Sequence, residues 1–261
     1  MSERLARIAS FAYHDVTDEP STSGLQRPTA LSYKFPTSLF KAHLDCIARA
    51  GGTPEHLVTS IARSAPRPHV LLTFDDGGKS AVWIGDELLR RGWHGHFFVT
   101  TGRIGTRTFV SKQDIRYLHS CGHLIGSHSH SHPDVFNALK PAEMQKEWHT
   151  SCALIADLVG EPCVVASVPG GDISREVLEV SAASGIQYLF TSEPRYVPQV
   201  VGQSVVLGRV NPRLNTPLAR VEALARFESW RREMCVRRAK VWLRTASGPV
   251  YRYWASRLAP G

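Results

Sequence analysis

Short apolar runs alternate with longer amphipathic stretches over most of the chain. VLLTF, HLIGS and QYLF are too short for helices and rich in β-forming residues, and each ends in a polar cluster. They predict strands at 69–74, 123–127 and 186–191, with further strands at 7–16, 95–101, 163–168 and 204–210. Between them the apolar residues recur every three or four positions, as Leu39, Phe40, His43, Leu44, Ile47 and Ala48 do. This spacing predicts helices at 36–51, about 79–91, 111–121, 141–159 and 174–184. Ser111 and Ser174 stand at N-cap positions, and Gly92, Gly122, Gly160 and Gly185 stand where helices stop. Residues 17–36, rich in Ser, Thr, Pro and Gly, read as a long loop.

Strand–helix alternation favours a parallel sheet with crossover helices. About seven strands favour a closed or nearly closed barrel over an open doubly wound sheet. Neither G-x-G-x-x-G nor a Walker loop occurs, which removes the phosphate cradle of a nucleotide fold. Beyond residue 217 the strand signal stops. A basic helical stretch, 217–244, leads into the aromatic-basic end VYRYWASRLAPG. The expected organisation is a barrel over 1–216 and a basic helical C-terminal extension over 217–261.

Composition adds a compartment and a charge asymmetry. The chain has 261 residues, 43% of them hydrophobic and 21% charged, enough for a full core. Five cysteines (46, 121, 152, 163, 235) form no C-x-x-C pair, and the first residues carry no apolar core of signal-peptide type. Both features point to a reducing cytoplasm. The net charge is +8, and residues from 217 onward hold ten Lys/Arg against three Glu. The charge therefore belongs to the tail. A solvated helix face is one reading. Contact with a membrane surface is another, since Trp230, Trp242 and Leu243 interleave with the arginines and Tyr251, Tyr253 and Trp254 follow. No recognition motif accompanies the charge, so no nucleic-acid partner is expected.

The polar residues that follow the strands carry the chemistry. Asp75-Asp76-Gly77-Gly78 follows VLLTF, and His128-Ser129-His130-Ser131-His132-Pro133 follows HLIGS. On a helical turn His128 and His132 share a face and His130 does not; in an extended chain all three face one way. Two neutral imidazoles and one carboxylate make a catalytic metal site with open positions. A cation would also make adjacent carboxylates tolerable, with Asp76 as its ligand and Asp75 left as a base toward water.

The pair Thr73-Phe74-Asp75-Asp76-Gly77 and His128-Ser129-His130-Ser131-His132-Pro133 resembles the TFDDG and H-[ST]-x-x-H-P motifs of the polysaccharide deacetylases, the NodB-homology carbohydrate esterases. The resemblance covers about residues 7–212. It implies a distorted (β/α) barrel of about seven parallel strands and a divalent metal, zinc most often, with cobalt or nickel as substitutes. It also implies removal of N-acetyl groups from an amino-sugar polysaccharide or lipid-linked glycan. On this resemblance Asp76, His128 and His132 bind the metal and Asp75 is the catalytic base.

Two later motifs depart from the pattern. The third reads Ser167-Val168-Pro169-Gly170-Gly171 and lacks the arginine that steadies the catalytic aspartate. The last reads Leu207-Gly208-Arg209 and lacks the proton-donating histidine. Arg209 is expected to reach across the barrel mouth and pair with Asp75. The proton for the leaving amine would come from His14 or from Asp75 itself, since Arg209 cannot donate one. Gly77 or Gly78 would offer a backbone N–H to the oxyanion. Pro169, Gly170 and Gly171 would form an open substrate-binding mouth. The third and last motifs together resemble the branch associated with exopolysaccharide assembly in Gram-negative bacteria. A lipid-linked glycan made on the cytoplasmic leaflet would account for both the missing signal peptide and the basic aromatic tail, so the expected location is the cytoplasm, peripheral to the inner membrane. Two alternatives remain at this point: an inactive glycan-binding scaffold, and a hydrolase of another amide such as a formamide.

Overall fold

The computed structural model describes residues 7–57, 69–171 and 173–246. The strands are β1 Ile8–Tyr13, β2 Asp15–Val16, β3 Lys34–Phe35, β4 His69–Phe74, β5 Gly95–Val99, β6 Leu124–Ser127, β7 Val165–Ser167, β8 Tyr188–Phe190, β9 Gln199–Val201 and β10 Ser204–Leu207. Eight of them form one sheet in the order β1-β4-β5-β6-β7-β8-β10-β9, parallel except for the β9–β10 hairpin. The helices are α1 Thr37–Arg49, α2 Ala81–Leu89, α3 Lys112–Ser120, α4 Pro141–Val159, α5 Arg175–Ala183, α6 Leu218–Ala225 and α7 Trp230–Ala246. A capping box of Ser111 and Asp114 starts α3, the Ser174 hydroxyl accepts from Val177 N at α5, and Gly160 ends α4 in the left-handed conformation.

The sheet curls until its ends meet. Past β10, Val210 N donates to Ser10 O and Ala12 N donates to Val210 O, at 2.9 and 2.8 Å. This contact joins β10 to β1 at the end of the barrel where the strands terminate. Alternate residues then separate the two faces. Ile8, Leu71, Phe98, Leu124, Val165, Phe190 and Leu207 form one cluster inside the curl. Phe11, Val70, Leu72, Phe74, Phe97 and Ile125 face outward under the helices, in the cluster with the most buried apolar residues. Strands β1 and β4 to β7 are buried at every position, as expected of parallel strands covered on both faces.

The structure differs from the sequence reading in three places. The expected strand 7–16 ends at Tyr13, and residues 15–16 pair instead with 34–35 inside the expected loop. An exposed edge strand, β9, precedes β10. The basic stretch 217–244 is two helices, because Phe227 and Ser229 take left-handed backbone angles (φ 65° and 63°). Helix α6 packs along α1, and Val221, Leu224, Ala225 and Trp230 join the main core. The Trp230 indole donates to Leu224 O at 3.0 Å. The expectations for Tyr251, Tyr253 and Trp254 lie outside the described residues. No helix among the described residues is long and apolar enough to cross a membrane.

Candidate active site

Along β4 the inward-facing positions are Leu71, Thr73 and, one step beyond the strand, Asp75. Asp76 then adopts φ 74°, an unusual angle for a residue with a side chain. The left-handed turn sends the two carboxylates in different directions. Ser129 and His132, in the other motif, also have positive φ.

Asp76 faces two imidazoles. His128 Nε2 and His132 Nε2 lie 3.4 and 3.3 Å from its Oδ1, and the three potential ligand atoms are mutually within 4.8 Å. His128 Nδ1–H donates to Ser167 O at 3.0 Å, so in the neutral ring Nε2 carries the lone pair. Two acceptors thus face each other, and the buried Oδ1 has no hydrogen-bond partner. A divalent cation satisfies this donor set, so the residues fit the metal that the sequence implies. Burial opposes charge on Asp76, yet the neighbouring imidazoles hold its carboxyl well below the usual range. Burial also opposes protonation of His128, and Asp75 and Asp76 outweigh it.

The turn that brings His132 back is fixed by Glu147 on α4. Its carboxylate accepts from His130 N, Ser131 N and the Ser131 hydroxyl at 2.7–2.8 Å. His130 turns away and bonds Thr101 Oγ1 at 2.9 Å. His128 and His132 therefore converge while His130 does not, but through an irregular bend with left-handed Ser129 and His132, neither a helical turn nor an extended chain.

Asp75 turns to Arg209. Nη1 and Nη2 donate to Oδ1 and Oδ2 at 2.7 and 2.8 Å. The other guanidinium bonds go to Thr73 Oγ1, Ser167 Oγ and Thr191 O. Arg209 is 1% exposed. A buried pair this well bonded keeps both charges. Burial would raise the Asp75 carboxyl, but Arg209 and His128 bring it below its ordinary value. Ser167, at the third-motif position, contributes a hydroxyl to the arginine that arrives from another strand end.

Asp75, Asp76, His128 and His132 line a cavity of about 210 Å³ together with His14, Asp15, Tyr33, Gly170, Gly171 and Asn211, with Arg209 behind them and outside its lining. The His14 ring lies against Tyr33 at 4.4 Å, its Nδ1 is buried without a partner, and burial lowers its pKa. Two expected substrate-binding residues do not line the cavity. Gly77 packs against Val99 so closely that a Cβ would meet it at 3.2 Å, and its carbonyl accepts from Val110 N. Pro169 is buried behind the rim that Gly170 and Gly171 form. Gly78 packs under the Asp15 carboxylate instead of opening to the cavity. Arg27 and Tyr33 also line the cavity and were not anticipated, because the 17–36 segment has no periodicity to orient them.

An acid and two imidazoles thus meet at the mouth of a mostly parallel β/α barrel. Residues 62–189 match the model of the polysaccharide deacetylase family. A 129-residue segment is 30% identical to an uncharacterized 30.6 kDa protein in the fumA 3' region of Geobacillus stearothermophilus, covering 48% of this chain and 47% of that protein. The match thus spans about half the length of that curated relative. The fold is similar to IcaB from Ammonifex degensii (TM-score 0.70, 20% identity, 85% of this chain and 98% of that one). It is also similar to the Streptococcus pyogenes deacetylase PplD in complex with acetate (0.68, 17%, 86% and 99%). A de-N-acetylase from Aggregatibacter actinomycetemcomitans is a third (0.69, 15%, 84% and 99%).

Proposed function

We propose that the protein is a metal-dependent de-N-acetylase that hydrolyses the acetamide of an amino sugar in a polysaccharide or lipid-linked glycan. The observation that carries this reading is the division of labour between adjacent carboxylates. Asp76 faces two imidazole nitrogens with an unsatisfied oxygen, while Arg209 holds Asp75 apart from them.

Asp76, His128 and His132 would hold a divalent cation, zinc by preference and cobalt or nickel as substitutes, which supplies Lewis acidity toward an amide carbonyl and acidifies water. Asp75 takes the proton of the attacking water. Arg209 keeps that carboxylate ionised and aimed, and a base fixed in this way needs no reorganisation at the moment of reaction. The leaving nitrogen then needs a proton. Asp75 can return the one it received, and the depressed pKa of its carboxyl favours giving it up. His14, on the cavity wall, is the other group able to deliver it. The products are acetate and a free amine. The acetate in the PplD complex is consistent with such a reaction in a similar fold.

The rim and the tail support this substrate class. Gly170 leaves open space at the rim, whereas Gly171 is packed against Ser192, and the open stretch suits a bulky glycan. Helix α7 runs beside it, with Arg237 bonded to Glu193 at 3.0 Å and near Gly171 O at 3.5 Å. Arg231, Arg232, Arg238 and Trp242 lie on the opposite, exposed side of that helix. A basic face ending in tryptophan suits an anionic membrane surface, and supports a lipid-linked substrate met on the cytoplasmic leaflet.

The test is acetate release from N-acetylglucosamine oligomers, with and without chelator and with zinc restored. Release that chelator abolishes and zinc restores supports the reading. Binding without release points to a scaffold, and formate release from formamides points to another amidohydrolase.

A further inference from the structure

Asp15 sits on the cavity wall with Asp75 and Asp76, and the mechanism above leaves it unused. Its place is built from several directions. The hydroxyls of Ser23 and Ser80 both donate to Oδ1, the latter at 2.9 Å. Gly24 and Gly78 lie so close that a Cβ on either would run into the carboxylate. The Lys34 ammonium, held by the carbonyls of Pro20 and Ser23, supplies positive charge nearby. Among the described residues, no donor is bonded to Oδ2.

A purely structural role accounts for only half of this arrangement. Ser23 belongs to the loop after β2 and Ser80 precedes α2, so Oδ1 ties two segments together. That tie needs one oxygen. The second belongs to a carboxylate that lines the cavity, and a ligand that displaces solvent from that oxygen must bring a donor of its own or leave it unpaired. Burial pushes the Asp15 carboxyl up, against the two serine bonds and Lys34, as expected for a carboxylate short of partners.

We propose that Asp15 is a specificity-determining residue whose Oδ2 accepts a hydrogen bond from a ring hydroxyl of the sugar bearing the acetamide. The inference rests on the de-N-acetylase reading. It assigns the choice of a hydroxylated amino sugar over a bare acyl compound to a carboxylate outside the Asp-His-His group. A site built to bond a hydroxyl discriminates strongly against a substrate that lacks one, because its own polar group is then left unpaired.

The experiment compares kcat/KM on an N-acetylglucosamine oligomer with kcat/KM on 4-nitrophenyl acetate, which carries an acetyl group and no sugar. Asp15→Asn retains the Oδ1 acceptor for both serines and places an amide NH₂ where Oδ2 was. The ratio of the two values is expected to fall about 10- to 100-fold, the size of one lost hydrogen bond to a charged group. Ser23→Ala, which loosens the tie and leaves Oδ2 in place, is expected to lower Tm and keep the ratio within about twofold. An unchanged ratio in Asp15→Asn overturns the proposal, and so does an equal shift in Ser23→Ala. Should Asp15→Asn fail to fold, Asp15→Ser is read by the same ratio. Failure of the wild type to release acetate from the oligomer would instead sink the functional reading on which the inference rests.

Discussion

Arg209 grips Asp75 with two parallel hydrogen bonds of 2.7 and 2.8 Å, and the two residues lie 134 positions apart in the chain. The fork matters more than the charge. Arg209→Lys keeps a cation but cannot bond both carboxylate oxygens while also reaching Thr73, Ser167 and Thr191. It is expected to lower kcat by about 100-fold with KM little changed, the pattern of a misaligned base. Arg209→Met leaves a buried carboxylate unpaired and is expected to cost about 3–5 kcal/mol of stability, read by urea unfolding. Wild-type kcat in Arg209→Lys would show that Asp75 needs no fixed orientation.

The donor set predicts cation dependence in the folding equilibrium as well as in turnover. Zinc should raise the wild-type Tm, since a ligand that binds only the native state stabilises it by mass action. His132→Ala removes one of three ligands and should lose both bound zinc and the Tm response. His128→Ala should do the same and also free Ser167 O, which now accepts from Nδ1. Metal analysis of the purified variants checks both. A full equivalent of tightly held zinc in either would remove that residue from the site.

His14→Asn separates the two sources of the leaving-group proton. Asn preserves a polar side chain beside Tyr33 but cannot shuttle a proton. If His14 delivers the proton, kcat falls by about 100- to 1,000-fold, within the range for general acid catalysis, and acetate release weakens most for amides with poor leaving groups. If Asp75 returns its own proton, the rate and its pH profile stay near wild type.

The parts of this protein that could be read from its sequence are those where one periodic pattern decides the outcome. The β4 run His69–Phe74 and helix Pro141–Val159 follow from apolar spacing alone, because each element buries a continuous face. Asp76, His128 and His132 were visible as candidates because their residue types at strand ends have few other uses. The Arg209 pairing was inferable only as a compensation for the serine at 167. What stayed hidden depends on tertiary contacts between aperiodic segments. Residues 34–35 form a strand only because Asp15–Val16 offers an edge. Arg27 and Tyr33 reach the cavity through a loop with no pattern to aim them. Trp230 read as part of a basic surface helix, yet it is 1% exposed, since the left-handed turn at 227–229 sets the first residue of α7 into the core. Gly77 looked like an open backbone donor, and packing against Val99 puts it behind the cavity instead.

Acid stability should be governed by a histidine far from the catalytic chemistry. His96 lies inside the barrel with both ring nitrogens engaged: Nδ1–H donates to Leu72 O and Nε2 accepts from Leu57 N, each at 2.9 Å. A second ring proton would displace the Leu57 bond and bury a charge, so burial pushes the His96 pKa down to about 3. Burial likewise holds His43 and His123 at about 4. In the unfolded chain these rings titrate near 6.5. The folded values lie lower, so the unfolded state takes up protons first as the pH falls. The stabilisation is complete above about pH 6.5 and is lost progressively toward pH 3–4. His96 alone contributes a slope of about 1.4 kcal/mol per pH unit in that window. His128 runs the other way, its pKa raised, so its contribution fades only as the pH rises above the unfolded value and leaves the acid limb untouched. Urea unfolding between pH 7.5 and 4.5 should show stability falling steeply below pH 6.5, and His96→Gln should reduce that slope by about one proton's worth. A flat profile between pH 5 and 6.5 in the wild type would mean that the ring is already charged in the fold, which the two opposed hydrogen bonds on His96 do not permit.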